Sequence, residues 1–298
     1  MRPMHRNRSR RACRGFTLVE IILVIAITGI IAAMVAVFLR HPIDAYVDTA
    51  RRASLSDTAD TALRRIARDL RRAVPNTVRV TNSSGVFYLE FIPARAGGRY
   101  RLDENCFTTG CSSLTTLGSL VDDASNLPSL CVGNGTPTGC VRADRLVIYN
   151  QYNNAAADCA VDNPSAYCEF SGGDAASPVS GVTAAGNEDV IAFASNVFVP
   201  ANGSATGRFQ IAEGPVTYAC NPGSGQLLRY YDYALAAAQP TPPTGGRSAI
   251  LATGVSACGI AYTTGAFERW GLVAIQLGLT RDNESVTLYQ EVHVDNAP

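Results

Sequence analysis

The residues that could do chemistry in this chain are few, and their spacing argues against a catalytic centre. The best nucleophile setting is Ser256 in Gly254-Val255-Ser256-Ala257-Cys258-Gly259, where Cys258 stands in place of the second glycine of a GxSxG elbow. Its base would have to be histidine, and the chain holds only His5, His41 and His293. His41 adjoins an apolar run, so Ser256 would depend on His293 alone; His293 reads as a sheet-edge residue and the chain as a non-enzyme with no catalytic residues. Carboxylates that could suit calcium occur at Asp122-Asp123 and at Asp158, Asp162 and Asn163, in polar sequence but without EF-hand spacing. Aspartates in such loops commonly hydrogen-bond turns, so no metal or other cofactor is expected, calcium being the one ion these donors would suit. No GxxxxGK[ST] loop or dinucleotide fingerprint is present, which excludes a nucleotide-driven motor.

Nine cysteines are present, and Cys13 lies in a basic N-terminal stretch. The other eight, Cys106, Cys111, Cys131, Cys140, Cys159, Cys168, Cys220 and Cys258, form an even set that suits an oxidising compartment. Many connectivities are open to them, but the first six fall into close pairs, and short loops are the least costly to close. This favours Cys106 with Cys111, Cys131 with Cys140, Cys159 with Cys168, and Cys220 with Cys258 by elimination. Zinc is disfavoured because no CxxC occurs and the gaps exceed those of structural zinc sites.

Charge is divided along the chain. Residues 1–15 carry six arginines and no acid, and the remaining 19 arginines against 25 acids leave a net of −6. A body of that sign lacks the basic stripe that releases phosphate counterions, so nucleic acid is not an expected partner. From Ile21 to Leu39, 19 residues carry no charge. At about 1.5 Å each they span roughly 28 Å, close to the ~30 Å hydrocarbon core. Arginines before this run and an acidic body after it keep the N-terminus in the cytoplasm and export the remainder. The run is long for the core of a cleaved secretory signal. Glu20 at its start would cost a few kcal/mol facing lipid without a partner. Cys13 precedes the apolar stretch, the wrong order for a lipoprotein cysteine, and Arg10-Arg11 gives no better fit to a twin-arginine signal.

Gly15-Phe16-Thr17-Leu18-Val19-Glu20 followed by the apolar run resembles the class III signal of type IV prepilins and pseudopilins. The resemblance implies a leader of residues 1–15, cleavage between Gly15 and Phe16 by a prepilin peptidase, and N-methylation of Phe16. A carboxylate among packed apolar helices needs a cation, and in a staggered filament the nearest is the new amine of a neighbouring subunit. Glu20 would thereby set helix register during assembly.

These residues must be carried by a helix of two parts, an apolar membrane and assembly segment over 16–41 and an amphipathic segment over 42–74. Pro42 kinks the helix or ends it there. Ile43, Val47, Ala50, Ala53, Ala59, Leu63, Ile66 and Leu70 then recur mostly three or four residues apart, with charges on other faces. The helix is expected to end near Val74, before Pro75. The arginines from Arg64 to Arg72 read as a solvated face or a subunit contact. Residues 75–298 change period: 78–80, 86–92, 100–102, 146–149, 190–199, 227–233 and segments flanking Gly214-Pro215 predict strands. Residues 271–279 and 285–294 predict a closing hairpin around the polar stretch 280–284. Residues 103–142 and 153–187 read as disulfide-stapled surface loops. The expected fold is α+β and type IV pilin-like, with the exported half of the helix packed on an antiparallel sheet.

Ala62 to Pro75, with Glu284 to Val294, resembles in particular the minor pilins of the mannose-sensitive haemagglutinin (MSHA) pilus system. That likeness is close over the first seventy-five residues and looser over the last hundred. It implies a minor subunit that initiates or tips a pilus, with major and other minor pilins and an inner-membrane assembly platform as partners. The chain would be single-pass in the inner membrane, with an exported head, before entering a surface filament. A minor pseudopilin of type II secretion would share every N-terminal motif. A signal-anchored exported enzyme or binding protein is the alternative from another class.

Overall fold

The computed structural model describes residues 15–101, 105–107, 110–120, 131, 144–151, 165–167, 175–196, 198, 207–264 and 269–297, the side chains of 39–45 and 196 excepted. Among the described residues one long helix, α1 (Leu18–Leu70), is followed by fourteen strands. They are β1 (Arg79–Ser83), β2 (Val86–Phe91), β3 (Ala94–Arg99), β4 (Cys111–Thr115), β5 (Arg145–Val147), β6 (Ala176–Ala185) and β7 (Glu188–Asn196). The rest are β8 (Arg208–Ala212), β9 (Val216–Asn221), β10 (Gln226–Tyr231), β11 (Arg247–Thr253), β12 (Val255–Thr264), β13 (Trp270–Arg281) and β14 (Glu284–Asp295). By contact density the chain forms two compact units, Met1–Arg51 and Arg52–Pro298.

Within the first unit, Leu18–Phe38 is apolar and long enough to cross a membrane by length and composition, with a mean hydropathy of 3.0 and none of it buried. Its 21 residues measure about 31 Å. The hydroxyl of Thr28 donates to the carbonyl oxygen of Val24 and so needs no outside partner. Helical backbone continues through Pro42, which lies inside α1 and not at its end. The proline removes one ladder bond, and the helix resumes because the flanking residues still supply theirs.

In the second unit, Leu55, Ala59, Ala62, Leu63, Ile66, Ala67 and Leu70 form the buried face of α1. They share one core with Leu89 and Phe91 of β2, Tyr218 of β9, Leu227 of β10, and Val273, Ile275, Leu277, Leu279, Val292 and Val294 of β13 and β14. The helix stops at Leu70, earlier than the proline alone suggests. Beyond it the backbone is recruited by a strand: Ala73 bridges Pro93, Val74 N–H donates to Ile92 O at 2.8 Å, and Ala94 N–H donates to Arg72 O at 2.6 Å.

Two sheets flank this core, both antiparallel, in the orders β1-β2-β9-β10-β11 and β12-β13-β14. Strands β2 and β9 are neighbours although β3 to β8 lie between them in sequence. That intervening segment makes its own six-stranded sheet, β3-β8-β5-β6-β7-β4. Its two outer strands meet where Tyr100 bridges Thr116, Leu117 N–H donates to Arg99 O at 2.7 Å and Arg101 N–H donates to Thr115 O at 3.2 Å. The sheet therefore closes into a barrel filled by Tyr100, Phe107, Leu114, Phe193, Phe198 and Phe209 among others. Entry and exit are adjacent, since Ala94 pairs with Ala212, as expected of an inserted module.

Strands β4 and β6 both fall in segments read as loops from the sequence. Small and hydroxylated residues there give little β signal, but their backbones complete the barrel. The fold is α+β and type IV pilin-like: an N-terminal apolar helix whose C-terminal part packs against antiparallel sheets, with disulfides in the head.

Candidate functional site

The start of α1 is the part of the molecule that carries recognisable chemistry. Gly15, Phe16 and Thr17 lie outside the helix, which opens at Leu18. The Thr17 carbonyl accepts the first helical bond from Ile21 N–H at 3.2 Å. Its hydroxyl accepts from Glu20 N–H at 3.3 Å, so Thr17 is the N-cap and Glu20 the third helical residue. Thr17-x-x-Glu20 ahead of an apolar run is the sequence signature of a capping box, a signal that the motif-based reading passed over. A carboxylate in the first turn also opposes the positive end of the helix dipole.

Two roles thus converge on Glu20. Among the described residues its side chain has no ion-pair partner, and it is exposed within the apolar span. The scissile bond expected between Gly15 and Phe16 lies just ahead of the cap, in backbone not committed to helical hydrogen bonds.

In the head, Cys106 is bonded to Cys111, tying the short helical turn Asn105–Phe107 to β4 across a Cα separation of 4.7 Å. Cys220 of β9 is bonded to Cys258 of β12 across 6.2 Å, which links the five-stranded sheet to the three-stranded one. Cys131 is also disulfide-bonded. Cys140, Cys159 and Cys168 lie outside the described residues, as do Asp122, Asp123, Asp158, Asp162 and Asn163. Among the described residues no group of three or more His, Cys, Asp and Glu side chains is placed to hold a metal.

Ser256 and His293 are not brought together. The Ser256 hydroxyl accepts from Thr280, whereas His293 is registered against Leu272, eight residues away along β13, or roughly 27 Å. His293 lies on the outer face of β14 with its ring 6.0 Å from that of Trp270.

The buried charges are structural. Arg79 and Glu90 are cross-strand neighbours on β1 and β2, paired at 3.1 Å. Burial pushes the Glu90 carboxyl above its ordinary range, and Arg79 opposes that shift. The Arg79 guanidinium also lies 3.7 Å from the Tyr167 ring centre and donates to the carbonyls of Ala236 and Ala237 at 2.8 and 2.6 Å. Tyr167 in turn donates to Thr77 O at 2.6 Å. This cluster is packed and hydrogen-bonded to backbone.

Residues 10–36 match the prokaryotic N-terminal methylation motif. No curated protein and no solved structure matches the chain. The motif, set on an apolar helix at the N-terminus, supports a type IV pilin-like or pseudopilin-like protein, with a prepilin peptidase and other pilins as its implied partners.

Proposed function

We propose that the chain is a minor pilin-like subunit that takes part in initiating or tipping a type IV pilus of the MSHA type. It acts by assembly, without catalysis, cofactor or nucleic acid. Cleavage after Gly15 and methylation of Phe16 release a helix whose apolar part leaves the bilayer for the filament core, through an inner-membrane assembly platform.

The observation that carries this reading is Glu20, a carboxylate at the start of an exposed apolar span with no counter-charge among the described residues of its own chain. In a filament the amine of Phe16 on a neighbouring subunit would supply that charge. A minor role is supported by the size of the head, in which a six-stranded barrel is inserted between β2 and β9 of the five-stranded sheet.

Deleting the gene and scoring surface pili separately from protein secretion tests the assignment. Loss of pili with intact secretion supports it, and lost secretion with intact pili makes the chain a pseudopilin. Glu20→Ala is expected to be exported but to enter filaments poorly; incorporation equal to that of the unaltered chain would remove the role given to Glu20.

A further inference from the structure

A strand that ends a sheet presents backbone donors and acceptors without a ladder partner, and folded proteins guard most such edges. In the two sheets that flank the helix core, β1 is covered: Arg79 donates to the carbonyls of Ala236 and Ala237, and Thr81 to Gln239 Oε1 at 2.7 Å. Strand β12 is tied to β9 by the bond between Cys220 and Cys258, and the register of β11 shifts between Leu227 and Leu228 of its neighbour. Strand β14 has none of these devices. Its 12 residues pair with β13 without a break and include no proline.

The turn before β14 fixes which way its free groups point. Arg281 and Glu284 flank a two-residue turn and form a hydrogen-bonded pair, so bonding to β13 recurs at every second residue from Glu284. Asn296 N–H continues that series by donating to Arg269 O at 3.1 Å. The N–H and C=O groups of Ser285, Thr287, Tyr289, Glu291, His293 and Asp295 therefore aim at the open edge, where no backbone bond meets them among the described residues. Glu291 O accepts instead from the Gln290 side chain at 2.9 Å. The side chains of the same six residues are exposed on the outer face.

That outer row is chemically one-sided. The Tyr289 hydroxyl donates to Glu291 Oε1 at 2.8 Å, which holds the carboxylate on this face, and Asp295 lies further along, in register with Trp270. Neither acid forms an ion pair among the described residues. On the inner face Val286 and Leu288 are only half-buried against the core, so an added strand would have apolar surface to cover.

We propose that β14 is the docking edge for an extended, basic segment of another protein, which adds a fourth strand to the three-stranded sheet. The backbone of that segment pairs with the outward groups of β14. Its basic side chains, at every second position, meet Glu291 and Asp295, and β-branched residues between them cover Val286 and Leu288. A second copy of β14 fits badly, because antiparallel pairing of two such strands brings carboxylates together with no arginine or lysine on either.

Trp270 is the chain's single tryptophan and lies next to this edge, so its fluorescence reports binding to the full chain in an uncharged detergent. A ten-residue peptide alternating arginine and valine is expected to change that fluorescence saturably. Replacing its arginines by glutamates, or methylating the arginine backbone nitrogens, which in this pairing face β14, should abolish the change. Glu291→Arg, at an exposed position, is expected to weaken binding of the arginine peptide about fivefold. An arginine peptide that gives no saturable change overturns the proposal. So does a methylated or glutamate peptide that binds as well as the first, or an unchanged affinity in the Glu291→Arg chain. None of these outcomes depends on how the N-terminus is processed, so the proposal stands or falls apart from the pilus reading.

Discussion

The carboxylate of Asp69, on the last turn of α1, accepts a hydrogen bond from the Tyr218 hydroxyl at 2.6 Å and faces Arg229 Nε at 3.2 Å. One helix residue thus clamps neighbouring strands β9 and β10, in a site where Tyr218 is wholly buried. Asp69→Ala leaves a buried phenol and a largely buried guanidinium without their acceptor. Chemical denaturation of the detergent-solubilised chain should show a loss of roughly 2–4 kcal/mol, against about 1–2 kcal/mol for Tyr218→Phe.

The two described disulfides should differ in weight. Cys220 and Cys258 are separated by 38 residues and join two sheets, while Cys106 and Cys111 are separated by 5 and close a local turn. Chain-entropy arguments give the longer loop about 4 kcal/mol and the shorter about 2 kcal/mol. Replacing each pair by alanine and comparing thermal midpoints checks the order; equal losses would mean that loop length is not what decides.

Asn76 has φ 57°, and its side-chain amide donates to Asn150 O at 2.9 Å and Asn296 O at 3.0 Å. It ties the segment after the helix to the barrel and to the C-terminal end. Asn76→Gly loses the bonds but tolerates the backbone, whereas Asn76→Ala also bears the left-handed strain. The alanine variant should be the less stable by about 1 kcal/mol in denaturant titrations.

Alkali should unfold the head through its tyrosines. Burial raises the phenols of Tyr167, Tyr218 and Tyr233, and Asp69 adds to the effect at Tyr218. The folded state then holds the proton more tightly than the unfolded state, whose phenols titrate near 10. Their contribution is complete below about pH 10 and is lost as pH rises above it. Loss of near-ultraviolet dichroism should coincide with the tyrosinate absorbance of these residues. Burial also raises Glu90 and Asp144, so lowering pH from neutral costs no stability through either group.

Much of the positioning framework is legible in the sequence because it repeats a period. Leu63, Ile66 and Leu70 mark the buried helix face, and alternation in β14 puts Val292 and Val294 inside with His293 between them facing out. The closing hairpin is tighter than the five-residue turn expected from composition. Only Asp282 and Asn283 separate β13 from β14, with φ of 48° and 67°, the two left-handed positions that a two-residue turn requires and that Asp and Asn tolerate.

The barrel is where the sequence says least. Strand β3 reads Ala-Arg-Ala-Gly-Gly-Arg, with no β-branched or aromatic residue, and it pairs because its partner supplies the bulk. A Cβ at Gly98 would lie 3.1 Å from the ring of Phe209, so the glycine leaves room for a large neighbour. Strand β12 is masked in a similar way by a bulge between Val255 and Ala257 and by small residues between Val255 and Ile260. Pairing of β2 with β9 across the insertion is a long-range event that no local pattern encodes. At the candidate site, Gly15, Phe16 and Glu20 are evident as a motif, and the Thr17 cap needed only the capping-box spacing to be noticed.

On the reading proposed above, the helix is cut after Gly15 and packs among others like it. The most direct measurement is the mass of the mature N-terminal peptide isolated from the producing cell. It should begin at Phe16 and carry one added methyl group on its amine. A chain still beginning with its arginine-rich leader, or one cut within the apolar span near Ala33, would contradict the account.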